Sequence, residues 1–331
     1  MIAPDSLREI LHAFGLRPET SRFLRDSQNC VYSCEDAGRK FIIRVSRSRH
    51  RDSSQVRAEL AWISFLIQRG IKACAPIPAG NGDLCPSFEF DGQVYIVTCF
   101  EHAPGHEITL QDITQPLYEK LGAMVGSMHA AAVDFNATRP ALDRPKWDES
   151  RLLREDVAGL GDSLTDKFRS TIADLVRDLR SYPLTSQNHG LIHGDVSFGN
   201  YFIHEGDLWI FDFDNCEYGY FAQDLATVLY DSIYCKVLNK FADAQPTERM
   251  IPFWKAFWSA YSKTGPLNEI DTLQFKNFFL LREAIIFVHY HRTMDLRNID
   301  DPFRMDLEVM RRNVENLDHQ VDFDYLFGNQ T

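Results

Sequence analysis

Positive charge is in short supply. The chain has 35 lysines and arginines against 47 acidic residues, a formal net charge of −12. A general nucleic-acid binder needs a basic surface to meet phosphates, so nucleic acid is not expected as a partner. The acidic balance is compatible with a cationic substrate. Also missing is any apolar run near the ~20 residues that a bilayer span requires, so no membrane partner is expected either. No two of the seven cysteines (Cys30, Cys34, Cys74, Cys85, Cys99, Cys216, Cys235) stand at C-x-x-C spacing. They read as reduced core thiols rather than disulfides or zinc ligands. Internal repeats and low-complexity tracts are absent, and the start "MIAPDSLREILHAFG" has no signal-peptide pattern. The expectation is a soluble, cytoplasmic protein, monomer or homodimer.

What is present is ordinary for an enzyme: 44% hydrophobic and 25% charged residues over 331 positions, enough for a full core in two lobes. Ser6 and Glu9 form a capping-box pattern ahead of an amphipathic helix carrying Leu7, Ile10, Leu11 and Phe14. "NCVYSC" and "KFIIRV" read as strands around the turn "EDAGR". A helix follows over about 53–68, with Gly70 as its stop, then the strand "GQVYIVTCF" and the connector "EHAPG". From about residue 111 helical spacing dominates, in "YEKLGAMVGSMHAAA", "FRSTIADLVRDLRSY", "ERMIPFWKAFWSAYSK" and "FKNFFLLREAIIFVHYH". Two β-like pieces, "YFI" and "LWIF", interrupt it. The expectation is an α+β, bilobal protein with a strand-rich lobe over 1–101, a mostly helical lobe over 102–331 and a ligand cleft between them.

The chemistry concentrates in "LIHGDVSFGN" (191–200) and "FDFDN" (211–215). Phosphoryl transfer to a hydroxyl needs a group that orients the hydroxyl and takes its proton, and oxygen ligands that hold magnesium against the phosphates. Kinase sites supply these with a loop aspartate, an asparagine five residues on and an aspartate after the next strand pair. Asp195, Asn200 and Asp212 have that spacing. Magnesium takes hard oxygens and only one or two carboxylates besides phosphate, so Asn200 and Asp212 suit it, with Asp195 facing the acceptor. Taken singly, an Asp or Asn in a turn is usually turn chemistry; the joint spacing carries the reading.

"HGDVSFGN" followed by "IFDFDN" resembles the aminoglycoside phosphotransferase, choline kinase and type II homoserine kinase superfamily, and "QDLATVLY" resembles its following D-L-A segment, with Asp224 in the aspartate position. The resemblance implies a protein-kinase-like fold and an ATP-dependent kinase of a small-molecule hydroxyl, with ATP (GTP the alternative) and Mg2+ as cofactors. It gives Asp195 the catalytic role, His193 a bracing one, and Asn200 and Asp212 the metal. Asp214 would join the metal shell or face the substrate. Arg44 stands where kinases carry a phosphate-binding lysine, with Glu59 to hold it. The glycine-rich loop of protein kinases is missing; Ser27, Gln28 and Asn29 resemble the family's polar turn and would donate to phosphates. Phe100, Glu101 and His102 match the hinge that meets adenine. The basic run Arg47, Arg49, His50 and Arg51 reads as a solvated loop.

No arginine precedes Asp195 and no glycine completes a D-F-G, which points to a small-molecule acceptor rather than a regulated protein kinase. Glu217, Asp231, Glu283 and Asp295 are candidate partners for an ammonium group, and Trp254, Trp258, Phe287 and Tyr290 candidate walls, although helical aromatics are more often core. Two other readings compete. One is a metal-dependent hydrolase using His189, His193, Asp195, Asp212 and Asp214. The other is a catalytically weak, pseudokinase-like interaction protein.

Overall fold

The computed structural model describes residues 2–149, 153, 157–160, 164–234 and 246–328. Cys235 lies outside them; the other cysteines are buried and free. The chain divides into two compact units, and the division is not the single cut expected at 101/102. The first unit holds 1–106, 140–144 and 201–214, and the second holds 107–139, 145–200 and 215–331.

The first unit is built on an antiparallel sheet: β1 (Arg22–Asp26), β2 (Asn29–Asp36), β3 (Arg39–Arg47), β4 (Pro76–Ile77), β5 (Ser87–Phe90) and β6 (Gln93–Glu101). Its order is β1-β2-β3-β6-β4, with β5 also on β6. Alternation along β3 decides what each face does. Phe41, Ile43 and Val45 join a core with Cys30, Cys34, Val97 and Cys99, capped by Ile10 and Leu11 of helix α1 (Pro4–Ala13). Arg44, one residue out of phase, is sent to the opposite face, where helix α2 (Ser53–Gln68) lies with Glu59. Asp52 caps α2 by accepting from the Gln55 amide at 2.9 Å. Helix α1 starts at Pro4 rather than at the Ser6 capping box, because proline's fixed φ suits a first helical turn.

The hairpin of β9 (Tyr201–His204) and β10 (Asp207–Ile210) belongs to this first unit. The Cys74 amide donates to the Ile210 carbonyl and the Ile210 amide to Lys72. A sequence pattern of local strands gives no sign of that long-range pairing. Strand β7 (His106–Glu107) marks where the chain passes from one unit to the other.

The second unit is helical: α3 (Gln115–Thr138), α4 (Asp166–Arg180), α5 (Phe221–Tyr234), α6 (Pro246–Thr264), α7 (Thr272–Thr293), α8 (Asp301–Asn316) and α9 (Phe323–Gly328). Helices α3 and α6 pack so closely that a Cβ on Gly122 would lie 2.1 Å from the Phe257 carbonyl oxygen. Helix α7 is the hub, packing on α4, α5 and α8. A two-stranded ribbon, β8 (His189–Ile192) with β11 (Glu217–Tyr220), pairs Ile192 with Glu217 and leads the chain into the 193–200 loop. Among the described residues no helix is long and apolar enough to cross a membrane.

Candidate active site

In the second unit the loop after β8 is held by its backbone. The amides of His193 and Gly194 donate to the two oxygens of Asp224 at 2.9 and 2.8 Å. Gly194 has φ of +77°, and a Cβ there would meet the Asn215 carbonyl oxygen at 2.5 Å, so the turn requires glycine. Behind Asp224 stands His129, its Nε2 at 3.3 Å and its Nδ1 2.9 Å from the Tyr261 hydroxyl. Asp224, His129, His193 and Tyr261 are buried, and Gly194 is half-buried. Burial pushes the Asp224 carboxyl up, but the bonds from His129 and the His193 amide outweigh it and hold it below the usual range. Spacing alone gave no role to Asp224 or His129; the "QDLATVLY" segment was the only signal.

His193 braces the turn as an acceptor: the Asp195 amide donates to its Nδ1 at 3.3 Å. Asn200 turns its amide nitrogen back on Asp195, donating to the backbone carbonyl at 2.9 Å and to Oδ2 at 3.1 Å. Its own Oδ1 is thereby directed away from Asp195, as a metal-ligating oxygen needs. Asp195 Oδ1 accepts from Arg282 of α7 at 2.6 Å. Burial raises the Asp195 carboxyl, yet the Arg282 charge and hydrogen bond, with His193 and Asn200, keep it lowered. Arg282 was not among the residues read from the sequence, since nothing in an apolar helix marks the position one residue before Glu283.

The proposed acceptor residues separate here. Asp231 lies 3.7 Å from Arg282, and its carboxyl is raised to about 7 by burial and by the Asp195 charge. Tyr290 is half-buried, with burial and Asp231 both raising its hydroxyl. Glu217 is buried and accepts from Gln223 at 2.7 Å. Glu283 instead faces inward, 1% exposed, accepting from Asn313 of α8 at 3.0 Å. That makes it a helix–helix tie rather than an acceptor contact. Asp295 caps the turn after α7, accepting from Arg297 and Asn298. Trp254 and Phe287 are core, Trp254 stacking on Trp258 and Phe257.

In the first unit Arg44 and Glu59 form a bidentate pair, both bonds 2.8 Å, with Arg44 over the Phe100 ring. Beside them is the largest departure from the sequence reading. Asp214, expected on metal or substrate, is 4% exposed and ringed by basic side chains: His50 Nε2 at 2.8 Å, Arg51 at 3.7 Å and Arg44 at 3.9 Å. Arg51 and Arg144 also donate to its backbone carbonyl. Burial raises the Asp214 carboxyl, but His50, Arg44 and Arg51 hold it well below the carboxylate range. A metal cation beside these two arginines would be repelled, so Asp214 is an ion-cluster anchor. His50 and Arg51, taken for a solvated loop, are its buried partners. Removing one member of such a cluster costs about 3–5 kcal/mol. Asp214→Asn is therefore expected to lower the melting temperature while leaving the magnesium requirement of the folded enzyme unchanged; an unaltered melt would contradict the anchor role.

Asp212, two residues earlier, is different. It takes φ of +64°, a conformation Asp tolerates better than most residues, and its carboxylate is met by the exposed Arg25 at 2.5 Å. The exposed Arg25 guanidinium on that carboxylate shows that the position accepts positive charge. Ser27 is exposed, Gln28 partly buried and Asn29 buried in the β1–β2 turn, where the Ser27 amide donates to the Asn29 carbonyl. At the hinge, the amides of Glu101 and His102 already donate to Ala75 and Lys40. These two amides are therefore not the donors that adenine needs. The hydrolase reading loses support: His189 packs against Tyr218 and Tyr220. Among the described residues no three His, Cys, Asp or Glu side chains gather to hold a metal ion.

The model of the phosphotransferase enzyme family matches residues 19–250. The chain belongs to this family. It is an enzyme, a phosphotransferase. Amicoumacin kinase of Bacillus subtilis (strain 168) is 29% identical over 324 residues, covering 96% of this chain and 94% of that protein. The structure of an amicoumacin kinase in complex with AMP-PNP, Ca2+ and Ami superposes with a TM-score of 0.85 at 25% identity, covering 97% and 96% of the two chains. A microcompartment-associated aminopropanol kinase shares the fold, with a TM-score of 0.72 at 20% identity and 98% coverage of both.

Proposed function

We propose that this phosphotransferase moves the γ-phosphoryl group of ATP to a hydroxyl of a small, amine-bearing acceptor. The observation that carries the reading is Asp195, fixed between Asn200 and Arg282 on a loop pinned by Asp224. The acceptor oxygen bonds to the γ-phosphorus as the bond to the β-phosphate oxygen breaks, and the hydroxyl proton passes to Asp195. Little covalent chemistry is asked of the protein; it positions and neutralises. Asn200 and Asp212 would hold magnesium, which supplies charge neutralisation on the phosphates. The donor set fits: one carboxylate and one amide oxygen leave room for phosphate and water ligands.

Arg44, fixed by Glu59, offers charge to the phosphates, and the Ser27–Asn29 turn offers donors to them. With the Glu101 and His102 amides engaged, adenine would take its donor from the backbone beyond them and use a hinge carbonyl as its acceptor. An amine on the acceptor would be met by the carboxyl of Glu217, with Tyr290 as a wall. The kinship with amicoumacin kinase over nearly the whole chain makes amicoumacin the first acceptor to try, followed by aminopropanol, choline, homoserine and aminoglycosides.

The test is phosphoryl transfer from ATP and from GTP across that panel, read by phosphorus NMR of the product. Phosphorylation of an amine-bearing alcohol supports the reading. Transfer to amine-free sugars alone would overturn the acceptor class. Loss of a metal ligand should exceed the ~10–100-fold that loss of an outer partner costs in metal affinity. Asp212→Ala is accordingly expected to require far more magnesium for half-maximal turnover, and normal activity at limiting magnesium would remove Asp212 from the metal.

A further inference from the structure

We propose that Arg282 is a two-position positioning residue, docked on Asp195 in the resting enzyme and transferred to Asp231 when the acceptor hydroxyl takes its place on Asp195. The proposal rests on the phosphotransfer reading for its purpose, but not for its test. Three observations support it. Arg282 spends one hydrogen bond on Asp195, 2.6 Å from Oδ1, while the Asp231 carboxylate waits 3.7 Å away. Arg282 Nε is buried without a hydrogen-bond partner, and so is Asp231 Oδ2. A buried donor and a buried acceptor, both unsatisfied and on adjacent side chains, are each costly alone. They would satisfy one another if the guanidinium turned its fork onto Asp231.

The second arrangement is favourable on physical grounds. Two parallel N–H···O bonds to one carboxylate are stronger and more directional than one. The movement is about 1 Å at the guanidinium, within the reach of side-chain rotation into hydrogen-bond range. Both partners are fixed on helices, Arg282 on α7 and Asp231 on α5, so no backbone need move. Around the group stand Asp195, Asn200, His193, His289, Tyr230 and Tyr290. Burial lowers the His289 pKa, so its ring brings no competing charge. The raised pKa of Asp231 fits a carboxyl that has no full partner at rest.

The consequence is a guard on Asp195. Asn200 occupies Oδ2, and Arg282 competes for Oδ1 with any hydroxyl, water included. An acceptor with enough binding energy to seat its hydroxyl displaces the arginine, whereas water does not. Futile hydrolysis of ATP is thereby suppressed until an acceptor is present.

The test reads the arginine directly. In 15N-labelled protein the Arg282 Nε–H signal is assigned by its disappearance in Arg282→Lys, and its exchange with water is measured without nucleotide or acceptor. Asp195→Asn weakens the resting dock, and Nε–H exchange is expected to slow by about tenfold or more as Nε takes Asp231 Oδ2. Adding Asp231→Asn should abolish that protection. Asp195→Ala removes the same carboxylate and serves if the Asn variant does not fold. An Nε–H unchanged when Asp195 is replaced, or a protection that survives loss of Asp231, would overturn the two-position arginine. Neither result bears on whether the enzyme phosphorylates an amine-bearing alcohol.

Discussion

Asp195→Asn is expected to lower phosphoryl transfer by about 10²–10⁴-fold, the range for losing a positioned acid–base group, while nucleotide binding stays near the wild-type level. The substitution keeps the shape of the side chain. What goes is the charge that orients the hydroxyl and the oxygen that accepts its proton. The nucleotide contacts assigned to Arg44, Glu59 and the Ser27–Asn29 turn are in the first unit and are untouched. Steady-state turnover with the acceptor found in the panel, beside calorimetric binding of a non-hydrolysable ATP analogue, separates the two effects. Near-normal turnover would remove Asp195 from the chemistry. Lost nucleotide binding would recast it as a structural residue.

Asp224→Ala is expected to do the most damage to the fold of the loop. Its carboxylate receives two backbone amides and faces a histidine, and the carboxylate, the His193 amide and the histidine are buried away from water. Removing one partner of a buried charged group costs about 3–5 kcal/mol, a large share of a domain's ~5–15 kcal/mol. Thermal melting should show the loss. Hydrogen exchange at the His193 and Gly194 amides should rise with it, and turnover should fall because Asp195 is no longer held. Asp224→Asn is the gentler control, keeping one acceptor oxygen for one of the two amides. If the melt and both amides are unchanged in the alanine variant, the loop is held by something else.

The pH dependence has a definite sign. Asp224 and Asp214 both have folded pKa values depressed below the carboxylate range. Their stabilisation is fully present above the ordinary carboxylate pKa of about 3.9, and it is lost as pH falls through the folded values. Acid should therefore melt both anchors, and Asp214→Asn should flatten the acid limb of the stability profile.

Legibility in the sequence followed the range of the interaction. Strand alternation in "KFIIRV" and helical spacing in 115–138, 166–180, 246–264 and 272–293 were readable, because they depend on neighbours a few residues away. The pairing of Arg44 with Glu59 spans fifteen residues and was read from family pattern, not from periodicity. The surroundings of Asp214 are not legible in the sequence, because an acid in "FDFDN" says nothing of Arg44, His50, Arg51 and Arg144, which converge on it. Glu283 and Arg282 show the same limit at its sharpest. They are adjacent on one helix, yet helical twist turns Glu283 to Asn313 in the core and Arg282 to Asp195.

By itself the sequence determined the kind of protein: an acidic α+β phosphotransferase whose Asp195, Asn200 and Asp212 have the spacing that phosphoryl transfer needs. Composition and short-range spacing are local properties, and they survive without a fold. Tertiary structure decided which charged groups face solvent and which face one another. It put β9 and β10 with the first unit, made Asp214 an anchor and brought Asp224 under the 193–200 loop. It also set Arg282 between two carboxylates. Electrostatic roles depend on distance and burial, and only packing fixes those.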